Sequence, residues 1–144
     1  MGIALRGAVL RLIRTSGRGN EAEVEIEGQR LRVLDALSPS DAALAPGELD
    51  EAALEVVTIG ALTEAIDDGR EHLPGFERQQ GWRYRAIGEI VSREPLAVDF
   101  GSVAIELALA PRDDWQLGTK LAVAIDRILL VPTPGERIRR RGAT

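Results

Sequence analysis

With 144 residues, 44% apolar and 28% charged, the chain has the length and composition of one domain, or two very small ones, with a sizeable core. It has no cysteine, which excludes disulfides, thiolate nucleophiles and Cys-ligated zinc, and no run of about 18 apolar residues that would span a membrane. The net charge of −5 is uneven: ten acids stand against one arginine between residues 35 and 72, while both ends are mildly basic, a balance that does not favour a polyanion as the main partner.

The opening stretch MGIALRGAVLRLIR has no signal-peptide pattern, because Arg6, Arg11 and Arg14 interrupt its apolar runs. Together with the missing cysteine this fits a cytoplasmic protein, and the Arg, Ala and Gly bias is of the kind GC-rich bacterial sequences carry. A first strand is expected over Arg6 to Leu12, where the adjacent apolar pair Val9 and Leu10 follows Gly7 as at a bulge. After a Gly-rich loop, VEIEGQRLRV (Val24 to Val33) reads as a hairpin. With Gly28-Gln29 as the two-residue turn, Val24 faces Val33 and Ile26 faces Leu31 on one side. Glu25 faces Arg32 and Glu27 faces Arg30 on the other. The following loop allows one helical turn from Ser40 to Ala45. AALEVVTI (Ala52 to Ile59) is the next strand.

Between residues 61 and 75, Leu62, Ile66 and Leu73 fall at offsets of four and seven, which predicts a helix ended by Pro74-Gly75. In GWRYRAIG, a strand would place Trp82 and Tyr84 on one face and Arg83 and Arg85 on the other. IGEIVSR repeats the earlier pattern, with Ile90 and Val91 adjacent after Gly88. In VDFGSVAIEL, a Gly101-Ser102 turn sets Phe100 against Val103 and Val98 against Ile105. A polar loop carries Trp115, and KLAVAIDRILLV (Lys120 to Val131) is a long last strand. Past Pro132 periodicity is lost, and the tail with Arg137 to Arg141 is expected to be mobile.

The fold class this predicts is mainly β, with two small barrel-like antiparallel halves, 1–60 and 76–132, joined by a helix at 61–75 and followed by a basic tail at 133–144. Aligning Gly7 with Gly88 matches Val9 with Ile90 and Leu10 with Val91, the pattern of an internal duplication. In architecture the halves resemble the oligonucleotide/oligosaccharide-binding (OB) barrel.

No constellation rises to a catalytic or cofactor motif. The lone histidine, His72, has only helical neighbours in Asp68 and Glu71, and nothing brings a serine to it. Asp67-Asp68-Gly69 and Asp113-Asp114 lack the spacing of a calcium loop, and one His without Cys builds no common zinc site. No metal or cofactor is therefore expected. RTSGRGN lacks both a dinucleotide fingerprint and a Walker lysine. The expectation is a non-enzymatic binding or adaptor protein that docks a protein partner through Trp82, Arg83, Tyr84, Arg85 and Trp115, since aromatics beside arginine are the composition of an interface. The alternatives are a single-stranded nucleic-acid binder stacking bases on Trp82 and Tyr84 along the arginines, and an enzyme using only carboxylates. A homodimer through exposed edge strands is a further possibility.

Overall fold

A computed structural model describes residues 2–3, 9–40 and 42–133. Residues 134–144 of the basic tail and residues 6–8 of the expected first strand lie outside them. Among the described residues 52% are strand, with no α-helix, so the chain is mainly β. The strands are β1 (Gly2–Ile3), β2 (Leu10–Thr15), β3 (Glu21–Ile26), β4 (Gln29–Asp35), β5 (Gly47–Glu48) and β6 (Ala52–Thr58). After a 3-10 turn at Gly60–Leu62 come β7 (Glu64–Ala65), β8 (Gly75–Arg78), β9 (Tyr84–Arg93), β10 (Leu96–Asp99), β11 (Ala104–Glu106) and β12 (Lys120–Pro132).

All join one open, mixed sheet in the order β11-β10-β9-β12-β4-β3-β2-β5; in addition β6 pairs with β12 and β1, β7 with β12, and β8 with β9. The sheet does not close into a barrel. β12 is its spine. Residues 120–125 run antiparallel to β9, and residues 127–132 run antiparallel to β6. Leu129 and Leu130 also run parallel to Leu34 and Asp35 of β4. A single core cluster draws residues from both halves, including Val24, Leu31, Leu54, Ile90, Ile105 and Leu130.

The second hairpin has the expected register, Val98 opposite Ile105, with the Phe100 N–H donating to Val103 O at 2.9 Å. The first is corrected by two residues: Val24 opposes Leu31, Glu25 opposes Arg30 and Glu23 opposes Arg32. Its turn is Glu27-Gly28, with φ of 47° and 81°, because a type I′ turn needs positive φ at both central residues. A shift of two preserves the faces, so Val24, Ile26, Leu31 and Val33 are buried as expected.

Both first strands of the meanders carry a bulge, at Ile13 of β2 and at Val91 of β9. Val9 and Val91 are half-exposed while Leu10 and Ile90 are buried, so matching Val9 with Ile90 puts the two strands out of phase. Gly88 is a point of close approach. A Cβ there would lie 2.5 Å from Val98 Cγ1 and 2.7 Å from Asp99 O.

The helix expected at 61–75 is absent, and the stripe that predicted it is not an inward face: Leu62 and Leu73 are exposed. The edge of β12 away from β9 has backbone groups to satisfy, and this segment satisfies them while extended. Ile59 N–H donates to Ala124 O at 2.8 Å, and Ile66 N–H donates to Lys120 O at 2.9 Å. A helix over 61–75 would spend the Ile66 N–H internally, and the like-charge spacings Glu64–Asp68 and Asp67–Glu71 would oppose it. The described residues of the turn expected from Ser40 to Ala45 likewise form no helix; Ala42 N–H closes a turn onto Pro39 O.

Candidate interaction groove

Alternation along β12 puts Ala122 and Ala124 on the outer face of the sheet, opposite Ile87 and Arg85 of β9. Two methyl side chains in succession leave a depression there. It is a surface groove of about 320 Å³, floored by Ala122 and Ala124.

One wall is the 59–64 segment. Thr63 is fully buried and fastens it: its Oγ1 donates to Ile59 O at 3.0 Å and accepts the Ala124 N–H at 3.1 Å. Arg112 Nη2 braces the same turn by donating to Gly60 O at 3.3 Å. Held this way, the turn presents Leu62, 61% exposed, and Glu64 to the groove.

The other wall is the hairpin between β8 and β9. Gln79 N–H donates to Arg83 O at 2.8 Å, Arg83 N–H to Gln80 O at 3.3 Å, and Gly81 takes a φ of 68° at the tip. Gln79, Gln80, Arg83 and Arg85 line this side. Arg83 reaches Asp126 at 3.9 Å, an exposed pair worth little. Arg85 lies across from Glu77 on β8, yet forms no ion pair within 4.0 Å among the described residues.

Of the five residues expected to dock a partner, the structure brings Arg83, Tyr84 and Arg85 to this groove and leaves Trp82 and Trp115 out of its lining, and it turns the Tyr84 ring inward. Tyr84 is 5% exposed, with its ring edge-on to Phe76 and its hydroxyl accepting the Arg32 N–H at 2.8 Å. Trp115 is 2% exposed; Arg93 Nε donates to its carbonyl at 2.7 Å and the Arg112 guanidinium lies 5.1 Å from its ring. Both are therefore corrected to core residues. Trp82 precedes β9, half-buried under the Arg32 guanidinium at 4.3 Å. Sequence reasoning missed the floor and the far wall. The signal was present as two outward alanines in LAVAID, readable only once β12 was known to have partners on both edges.

The remaining candidates do not converge on a catalytic centre. His72 Nε2 lies 3.0 Å from both Asp68 carboxylate oxygens. The Arg70 N–H, and then His72, hold the Asp68 carboxyl below its ordinary value. No serine hydroxyl is hydrogen-bonded to His72 among the described residues. Nor, among them, do three His, Asp or Glu side chains gather as metal ligands. No helix of the described residues is long and apolar enough to cross a membrane.

No family model matches this chain, and neither a curated protein nor a solved structure matches it.

Proposed function

We propose that this chain is a non-enzymatic binding protein that docks a protein partner in the groove between the 59–64 turn and the β8–β9 hairpin. One observation carries the reading: side chains of opposite character, the exposed Leu62 and the exposed Arg85, flank a floor of alanines on an outer sheet face. An apolar contact beside an arginine, ringed by polar Gln79 and Gln80, has the composition of an interface core and rim. With Tyr84 inside the core and Trp82 under Arg32, the stacking platform of a single-strand nucleic-acid binder has less support.

The small-barrel, OB-like reading belongs to the same proposal. β2, β3 and β4 form a meander, and β6 then returns to pair with β1 near the start of the chain, a return that supports a Greek-key arrangement of the kind small barrels use. β9, β10 and β11 form a second meander whose first strand also carries a bulge, though at Val91 and so not at the position matching Ile13; the shared meander plan is what supports a duplicated unit. On that reading the units share β12 instead of closing separately.

Site-specific photo-crosslinking in cells tests the function. A crosslinker at Gln80 is expected to give a discrete adduct with one protein, and a crosslinker at Arg18 none. Reconstituted with that purified protein, Leu62→Asp is expected to weaken the complex at least ~10-fold. An undiminished complex would remove the groove as the docking site.

A further inference from the structure

We infer that the occupant of this groove is an extended acidic segment of the partner, with carboxylates at positions i and i+2 and an aliphatic residue between them. The inference rests on the proposed docking role and names its chemistry. Three observations carry it.

The first is sign. The groove is lined by two arginines and one glutamate, Glu64, in a chain whose net charge is −5. The lining carries one more positive than negative side chain where the chain as a whole is acidic, a local excess that favours an acidic partner over a basic one at this place. Glu77 and Asp126 lie at its border. Asp126 is held by Arg127 at 2.7 Å, and its 3.9 Å contact with Arg83 is weak enough for Arg83 to turn to a ligand. Among the described residues Arg85 has no carboxylate within 4.0 Å.

The second is spacing. Arg83 and Arg85 are alternate residues entering β9, about 7 Å apart along an extended chain. An extended ligand repeats its side chains at the same interval, so two acids separated by one residue match the two guanidiniums in register. Each guanidinium is a planar fork suited to a carboxylate.

The third is the opposite wall. In an extended segment the residue between the acids points the other way, toward Ile59 and Leu62. Leu62 is held in an exposed position by the buried Thr63, and an aliphatic side chain there would cover it. Specificity from pockets for alternate side chains is the usual mode for extended-peptide recognition.

Fluorescence anisotropy with three labelled peptides, differing only in a Glu-Leu-Glu, Glu-Ser-Glu or Lys-Leu-Lys centre, tests this directly. The Glu-Leu-Glu peptide is expected to bind at least ~10-fold more tightly than either of the others, and to weaken as salt is raised. Arg85→Glu should abolish that preference, and Arg85→Lys should retain part of it. Circular dichroism of both variants should be unchanged, since Arg85 is exposed. Equal binding of the Lys-Leu-Lys peptide, or an Arg85→Glu protein that binds normally, overturns the inference. So does a single-stranded oligonucleotide that binds at ~50 mM salt and displaces the peptide. The docking role is judged separately. If the Gln80 adduct forms and Leu62→Asp weakens the complex while Arg85→Glu does not, the groove remains the interface and the acidic segment is wrong. If no adduct forms and no peptide binds, both fall.

Discussion

Asp35 shows how a single side chain is made to fit the interior. It is 1% exposed, and its carboxylate accepts the Thr15 hydroxyl at 2.7 Å, the Ser38 hydroxyl, and the N–H groups of Leu37 and Ser38 at 2.8 and 2.9 Å. Burial pushes its pKa up, but the hydrogen bonds from Ser38, Thr15 and Leu37 outweigh burial and hold the carboxyl below its ordinary value. A depressed folded pKa stabilises the protein above the unfolded value of about 3.9 and ceases to as pH falls through the folded one. Asp35→Asn is therefore expected to cost about 1–3 kcal/mol at neutral pH, with the difference from wild type shrinking below about pH 4. Urea unfolding of both proteins at pH 7 and pH 3 checks this; an equal gap at both pH values would show that charge is not the cause. Gly88 is the opposite case, a residue defined by what it lacks. Gly88→Ala would drive a methyl into Val98, the Asp99 carbonyl and Phe100, and is expected to cost about 1–3 kcal/mol or more by overpacking, measured in the same unfolding experiment. A glycine ahead of two adjacent apolar residues is the cue for a bulge in both first strands; after Gly88 the bulge is at Val91, whereas in β2 it falls further on, at Ile13.

At the scale of elements, the first hairpin explains which features a sequence can specify. Alternation fixes faces modulo two, so pairings summing to 55 or 57 bury the same residues and set Glu against Arg equally well. Only the turn distinguishes them, and it does so through φ at Glu27, a position where a non-glycine residue is held at 47°. Glu27→Asn supplies the residue that tolerates this conformation best before glycine. It should raise the unfolding free energy by about 0.5–1 kcal/mol without altering the sheet, read as a shift in denaturant midpoint at constant m-value. No gain, or a changed m-value, would mean the turn is not the strained step. The segment at 61–75 was misread for a different reason. Three apolar residues at helical spacing are also compatible with an irregular strand, and the demand that decided between them, an unpaired edge on β12 some sixty residues away, has no local trace. The aromatics were misread through scarcity. The chain has five, and Phe76, Tyr84, Phe100 and Trp115 are all buried, so a core poor in rings claimed the side chains that composition alone would lend to an interface.

At the scale of the whole molecule, the question is whether the two meanders are separable. The sequence reads as two units because each has its own reversal, at Gly28 and Gly101, and its own bulged strand. What it does not display is that one thirteen-residue strand serves both, because long-range pairing leaves no periodic signature beyond the strand itself. Leu130 sits where β12 meets β4 and β6 together, opposite Asp35 and Leu54, and is fully buried. Leu130→Ala removes about 2–5 kcal/mol of packing there. If β12 couples the sheet as a spine, that loss propagates. Slow amides in β9 and β10, which Leu130 does not pair with, should then lose hydrogen-exchange protection by the same free energy as those in β3 and β4, in a single unfolding transition. Should the β9 and β10 amides keep their protection while β3 and β4 lose it, the meanders would be independent folding units. The groove, whose floor belongs to the first half of β12 and whose far wall to the segment after β6, would then be a junction able to open without global unfolding.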